Sequence, residues 1–277
     1  MKKKTYALLI IPCVILITVV LVFPLISIIY PSFFDGVFTF EHYSSFLSDP
    51  FYQKILWRTV KLSLITTLIC VVLGVPTAYY ISTQRKSVRG ILTILIMFPL
   101  LTNAIIRGFA WMTILGSNGI INSLLKSLSI IDKPLSLLYS EFAIVIGSVY
   151  LFLPVMVTTL TSVMDSIDGD IVYATQSLGA KPWQVFMKAI VPLSFSGIII
   201  GSVLVFTGTM SAYTTPSLLG GNKNMMLATL LYQQANQLSN WTQAGMISLI
   251  MIILSYGVMK IMNGINLRLD KRGYEHE

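Results

Sequence analysis

The stretch Asp165–Pro192, DSIDGDIVYATQSLGAKPWQVFMKAIVP, is polar and lies between two long apolar runs. Gly179 separates two short helical patterns within it, and Pro182 opens the second. The flanking runs have the length and composition of segments built for lipid. The stretch between them reads as a folded hairpin on one side of a membrane, where it is expected to dock a protein.

Working outward, 55% of the 277 residues are hydrophobic and only 11% are charged. A soluble domain carries about 25% charged residues, so this chain is expected to be an integral membrane protein. A crossing needs roughly 20 mostly apolar residues. Six segments qualify, at 6–30, 62–82, 91–115, 142–164, 191–213 and 244–265. Pro24, Pro76, Pro99 and Pro154 fall inside them, where neighbouring helices and hydroxyls re-satisfy the freed backbone. Such prolines bend helices around a path or serve packing alone. The basic N-terminus with its apolar run resembles a signal peptide, but the run is too long and no small-residue cleavage site follows. A retained transmembrane helix is expected there.

Lysines and arginines in short loops set orientation. With the N-terminus inside, twelve fall on the cytoplasmic side and six outside, with Arg107 left within a span. Both termini and the 165–192 hairpin are therefore expected in the cytoplasm. The net charge of +8 becomes a topology signal and not a nucleic-acid footprint. Lys54, Arg58 and Lys61 sit at helical spacing outside the second span, expected on an interfacial helix that snorkels to headgroups or meets a ligand. The loop around them is rich in aromatics, among them Phe33, Phe38, Tyr43 and Trp57. They suit a headgroup-level belt or an external partner.

Several chemistries are missing. No G-x-x-x-x-G-K-[ST] loop is present to cradle nucleotide phosphates. Two isolated histidines, His42 and His276, support neither a catalytic triad nor a metal site. Cys13 and Cys70 lie in apolar runs and read as small buried residues. All eleven acids assign to loops or termini, which argues against a proton-driven carrier using intramembrane acids. Energy is then expected to arrive through the hairpin.

In the hairpin, Tyr173-Ala174-Thr175, three residues, Gly179, nine residues, then Ala189-Ile190-Val191-Pro192 form a recognisable spacing. It resembles the EAA motif of permease subunits in type I binding-protein-dependent ABC importers. Ala174, Gly179 and Pro192 match; Tyr173 stands for the motif's Glu and Thr175 for its second Ala. FTFEHYSSFLSDPFY, FPLLTNAIIRGFAWMTILGSNGIIN and SAYTTPSLLGG, starting at Phe38, Phe98 and Ser211, are similar to the spermidine/putrescine branch of these permeases. The resemblance implies a cytoplasmic ATPase dimer docking on Asp170, Tyr173, Ala174, Thr175, Ser177, Leu178, Gly179, Ala180 and Pro182. It further implies a second, similar permease (or a second copy), an extracytoplasmic solute-binding protein, and ATP-Mg held by the ATPase, with no cofactor in this chain. Gly179 is suited to the left-handed conformation that ends a helix, and Pro182 to the first turn of the next. Asp165, Asp168 and Asp170 precede the hairpin's first helix and are expected to cap it.

Arg107 is the one charge deep in an expected span, costing about 2.5–3.5 kcal/mol or more unless it faces a bundle interior or water. It either lines a path, or snorkels or makes a structural bond. Asn103, four residues earlier, is expected to share its face, with Thr102 and Trp111 on the same lining. Tyr213 and Thr214 end the fifth span with polar groups, preceded by Phe206 and Met210 as core.

The expected protein is all-α, with six transmembrane helices in the type I importer permease fold. It is a single domain over 1–277, multi-pass in a bacterial cytoplasmic membrane, and moves a small polar solute without doing chemistry itself. A polyamine is the best candidate; an anionic solute such as a phosphonate or opine would suit Arg107 directly. A stand-alone ion-gradient carrier or channel and a membrane scaffold are the competing classes.

Overall fold

A computed structural model describes Pro12, residues 14–35 and residues 37–274. Cys13, the lysines at 2–4, Glu275, His276 and Glu277 lie outside the described residues. The regular elements of the described residues are helices, apart from one antiparallel pair of two-residue strands, β1 (Phe34–Asp35) and β2 (Val37–Phe38).

The chain divides into two compact units. The first joins residues 1–54 to 230–253. It holds α1 (Val14–Ser32), β1, β2 and α2 (Glu41–Ser48). Its aromatics pack on one another: Phe33 stacks on Tyr43 at 5.0 Å between centroids, and Phe46, 1% exposed, stacks on Tyr52 at 4.7 Å. The Tyr43 hydroxyl shares a 2.6 Å hydrogen bond with Ser32 Oγ. Burial pushes the Tyr43 phenol above its usual range, partly offset by that bond. Phe38 and Phe40 remain exposed and fit a belt at headgroup level.

The second unit joins residues 55–229 to 254–277. Its helices are α3 (Pro50–Ser82, whose first turn belongs to the other unit), α4 (Lys86–Leu101), α5 (Ala104–Leu115), α6 (Ile120–Ser127), α7 (Glu141–Met164), α8 (Gly169–Ser177), α9 (Pro182–Leu193), α10 (Phe195–Ser211) and α11 (Thr214–Gly220). Then come α12 (Leu227–Tyr232) and α13 (Trp241–Tyr274), which both run across the division between units.

The core of this unit forms around α7, which packs on α4, α5, α10 and α11. In lipid, apolar contact alone does not drive helices together, so close approach at small residues matters. A Cβ at Gly74 of α3 would stand 2.6 Å from Met156 of α7, and one at Gly201 of α10 2.6 Å from the same residue. The two glycines thus admit one methionine between three helices. Cys70, Ala78, Leu160 and Val205 complete this cluster, so Cys70 is buried as expected.

Among the described residues, five helical segments are long and apolar enough to cross a membrane, and a sixth forms if the bent pair α9 and α10 is one span. That pair bends by 66°. Three expectations need correction. The third span, expected unbroken over 91–115, is divided: α4 ends at Leu101 and α5 starts at Ala104, and the segment that qualifies is Ala104–Ser127. Asn103 causes the restart, because its Oδ1 accepts from Ile105 N at 2.8 Å and Ile106 N at 3.4 Å. It is an N-cap one turn before Arg107, whose N donates to Asn103 O at 3.0 Å, and its side chain is taken up by the cap. The fifth span begins with a bend and not as one rod from Val191. Finally, the interfacial helix expected around Lys54, Arg58 and Lys61 is the outer part of the 33-residue α3, opened by Pro50.

Candidate functional site

Three places carry the residues singled out by sequence: the hairpin, a cavity at the break between α4 and α5, and an ion cluster at the outer end of α7.

The hairpin folds as its spacing predicts. Asp168 Oδ1 accepts from Asp170 N at 3.0 Å and caps α8. The helix ends at Gly179, whose φ is +83°. Gly179 N donates to Gln176 O at 2.9 Å, and Ala180 N to Thr175 O at 3.3 Å. Together these are the two bonds of a Schellman stop, which needs a left-handed residue at that point. Pro182 then opens α9, and Gln184 Oε1 accepts from Lys181 N at 2.8 Å. Asp165 departs from expectation: it pairs with Arg89 at the start of α4 and does not cap α8. The result is a polar hairpin with apolar side chains facing out. Leu178 is 89% exposed, and Tyr173 and Trp183 are exposed by about two thirds. A Cβ at Gly179 would meet nothing within 4 Å, so its glycine serves the backbone, not packing within this chain.

The cavity, of about 310 Å³, is lined by Arg107 of α5, Phe152 of α7, Gly208 and Ser211 of α10, and Tyr213 and Thr214 where α11 begins. Three expected path residues, Arg107, Tyr213 and Thr214, are therefore brought together. The others are not in its lining. Thr102 donates to Pro99 O at 2.8 Å and receives from Arg107 Nη1 at 3.3 Å. Asn103 is occupied as the cap. Trp111 packs with Leu115, Ala143 and Leu219, edge-on to Tyr150. Phe206 and Met210 are core, as expected.

Arg107 is both a structural group and a cavity wall. Its Nη1 also donates to Pro99 O at 2.8 Å and to Thr102 O at 3.3 Å, carbonyls at the C-terminal end of α4. That end carries partial negative charge. The cation thus obtains partners at membrane depth without an acid, and it holds the two sides of the helix break together.

The ion cluster was not foreseen. Arg58, 8% exposed, donates from Nε to Glu141 Oε1 at 3.0 Å and from Nη1 to Met225 O at 3.3 Å. Lys61 donates to the other oxygen of Glu141. Of the three cations expected to snorkel, Lys54 is exposed, Lys61 half-buried and Arg58 buried; the last two tie the outer ends of α3 and α7 together. No spacing could announce a partner about eighty residues away.

Comparison with known proteins agrees with this geometry. The family described as "Binding-protein-dependent transport system inner membrane component" matches residues 70–272. The spermidine/putrescine transport system permease protein PotB of Escherichia coli (strain K12) is 34% identical over 246 residues, covering 89% of each chain. The PotB protein of Haemophilus influenzae is 31% identical over 239 residues, covering 84% of this chain and 83% of the relative. Among solved structures, a chain of the bacterial alginate ABC transporter in complex with its alginate-bound periplasmic protein superposes with a TM-score of 0.81. It is 17% identical, and the match covers 96% of this chain and 94% of that one. A chain of the inward-facing MetNI methionine ABC transporter gives a TM-score of 0.60 at 16% identity, over 80% of this chain and 99% of that one.

Proposed function

The chain belongs to the inner membrane components of binding-protein-dependent transport systems, and we propose that it is the permease half-path through which an ATP-driven importer passes a polyamine into the cytoplasm. Its multi-pass helical body carries the path. A dimer of ATPase subunits docks on the hairpin, a second similar permease or a second copy completes the path, and a solute-binding protein delivers from outside. ATP-Mg belongs to the ATPase, and this chain makes or breaks no bond.

The observation that carries the coupling reading is the hairpin. A polar cytoplasmic segment that exposes Tyr173, Leu178 and Trp183 around a left-handed Gly179 has the form of a corner that enters a groove on another protein. Closure of the ATPases would push that corner. The push would reach α4 through the Asp165–Arg89 pair, and the cavity through Arg107, whose guanidinium holds the end of α4. Asp170, Thr175, Ser177 and Ala180 shape the corner, and Tyr173 replaces the family's usual Glu on its exposed face.

Polyamine is proposed from the PotB relatives, which are named for spermidine and putrescine. A second reading, an anionic solute, is favoured by Arg107 in the cavity wall. Reconstitution of the complex in proteoliposomes separates them. ATP-driven uptake of labelled spermidine or putrescine, competed by excess of either, is the expected result. Uptake of a phosphonate or other anion with no polyamine transport would overturn the polyamine assignment and leave the importer reading standing. Transport without any ATPase would overturn both.

A further inference from the structure

The faces that α3 and α7 turn to each other are four-residue ridges: Leu62, Thr66, Cys70, Gly74 and Ala78 on one, and Ile144, Ser148, Phe152, Met156 and Leu160 on the other. Contact is made at Leu62 against Ile144 and again at Gly74 against Met156. The step is twelve residues on both helices, so they run parallel and in register. Four residues along from the first contact, Thr66 faces Ser148. Helix α10 runs the other way, with Gly201 against Met156 and Gly208 against Phe152. Continuing outward, Thr209 reaches the level of Ser148.

Thr66, Ser148 and Thr209 are each 0% exposed, and none of their hydroxyl oxygens has a hydrogen-bond partner. This is not how other hydroxyls in these helices behave. Thr59, Thr67, Thr161 and Thr207 donate to the carbonyl four residues back, at 2.7–2.8 Å. Ser63 of α3 is likewise buried without a partner but lies off the Thr66 ridge, whereas Thr66, Ser148 and Thr209 fall, by the register above, at one level between the three helices. Apolar layers close that space on both sides: Leu62, Ile144 and Met226 towards the outer end, and Cys70, Met156 and Val205 towards the cytoplasm.

Buried polar groups in folded proteins find partners in protein or in ordered water. Internal waters make about three hydrogen bonds each, to groups otherwise unsatisfied. The ridges contain no charged residue, so a fitting ligand is neutral and able both to donate and to accept. We propose that Thr66, Ser148 and Thr209 bind a buried water that bridges α3, α7 and α10 one helical turn from the Phe152–Gly208 wall of the cavity. Direct side-chain bonds would fix the three helices in one arrangement, whereas a bridging water re-pairs with whichever hydroxyls are in reach.

The test is cryo-electron microscopy of the assembled transporter at a resolution that shows ordered water, on wild type and on the T66V/S148A/T209V variant. The expected map has density within about 3 Å of at least two of the three hydroxyls, absent from the variant. A wild-type map in which the hydroxyls bond the carbonyls of Leu62, Ile144 and Val205, with the layer empty, would overturn the proposal. Thermal unfolding of the single and triple variants is an independent check. Each single change should lower the midpoint by about 2–4 °C, because it leaves the remaining hydroxyls and the water short of a partner. The triple variant should lose less than the three losses combined. Neutral single changes that simply add would also overturn it.

Discussion

Replacing Gly179 separates a backbone requirement from a size requirement at the hairpin corner. The residue sits at φ +83° inside a Schellman stop, with open space where a Cβ would be. No clash within this chain opposes a side chain there. What opposes it is the left-handed conformation, worth about 1–2 kcal/mol against an ordinary L-residue. Asparagine visits that region readily, alanine pays the lower part of the range, and valine, stiff at its β-branch, the upper part. Helix α8 has only nine residues, and isolated helices that short are marginal. A penalty at its stop therefore falls almost entirely on the population of the correct corner. A loss of 1–2 kcal/mol is a factor of about 5–30. ATP-driven uptake, measured with the amount of co-purified ATPase, should fall in the order Gly179→Asn (within about twofold of wild type), Gly179→Ala (about fivefold down) and Gly179→Val (about thirtyfold down), by the same free-energy range. The thermal midpoint of the membrane body should not change. If alanine is fully active while asparagine is not, the partner's groove is reading side-chain size and the conformational argument is wrong.

Three further outcomes follow from the same geometry. Arg89→Gln and Asp165→Asn should each lower uptake per ATP hydrolysed while costing no more than about 1 kcal/mol of stability, because the pair is partly exposed; the swapped Arg89→Asp/Asp165→Arg double variant should recover coupling, and a swap as poor as the singles would count against a direct link. Glu141→Gln should destabilise by about 1–3 kcal/mol in thermal or denaturant unfolding, since it weakens the partner of the buried Arg58; an unchanged midpoint would mean that the bond to Met225 O suffices. Gly208→Val should lower uptake, because even a Cβ there would stand 2.5 Å from the Phe152 ring and must displace the ring or part the two helices; wild-type uptake would show that the solute does not use this cavity.

The hairpin was legible because every device in it is local. Asp168, Gly179 and Pro182 act within a few residues of where they stand in the chain, so spacing alone foretold the cap, the stop and the restart. The apolar runs were legible because crossing a membrane needs length more than detail. The break before α5 was written in the sequence as Asn103 ahead of an apolar helical run, the ordinary mark of a helix start, but a reading by hydropathy passes over one polar residue among many apolar ones. The ion cluster and the hydroxyl layer were out of reach for a different reason. Arg58 and Glu141 meet, and Thr66 and Ser148 fall at one level, only because two distant helices pack in parallel register, and that register is set by Gly74 admitting Met156, a contact no single-helix pattern contains.

The helix break also changes how Arg107 bears on the solute. A free guanidinium in the path would repel a polycation, which made charge and family point to different substrates. In the structure the group is bound at the C-terminal end of α4, with one nitrogen on Pro99 O, Thr102 O and Thr102 Oγ1. The partial negative charge of that helix end offsets much of the cation's field. The remaining cavity wall offers the Phe152 ring, the Tyr213 ring and hydroxyls, surfaces that a passing ammonium group can meet through ring faces and lone pairs. Loss of the arginine should therefore harm a polyamine importer by loosening the break and not by removing a binding charge. Arg107→Lys, which keeps the charge but not the forked geometry, should then fail nearly as badly as Arg107→Gln in uptake of spermidine. If the lysine variant transports normally while the glutamine variant is dead, the charge itself is being used, and an anionic solute becomes the better reading.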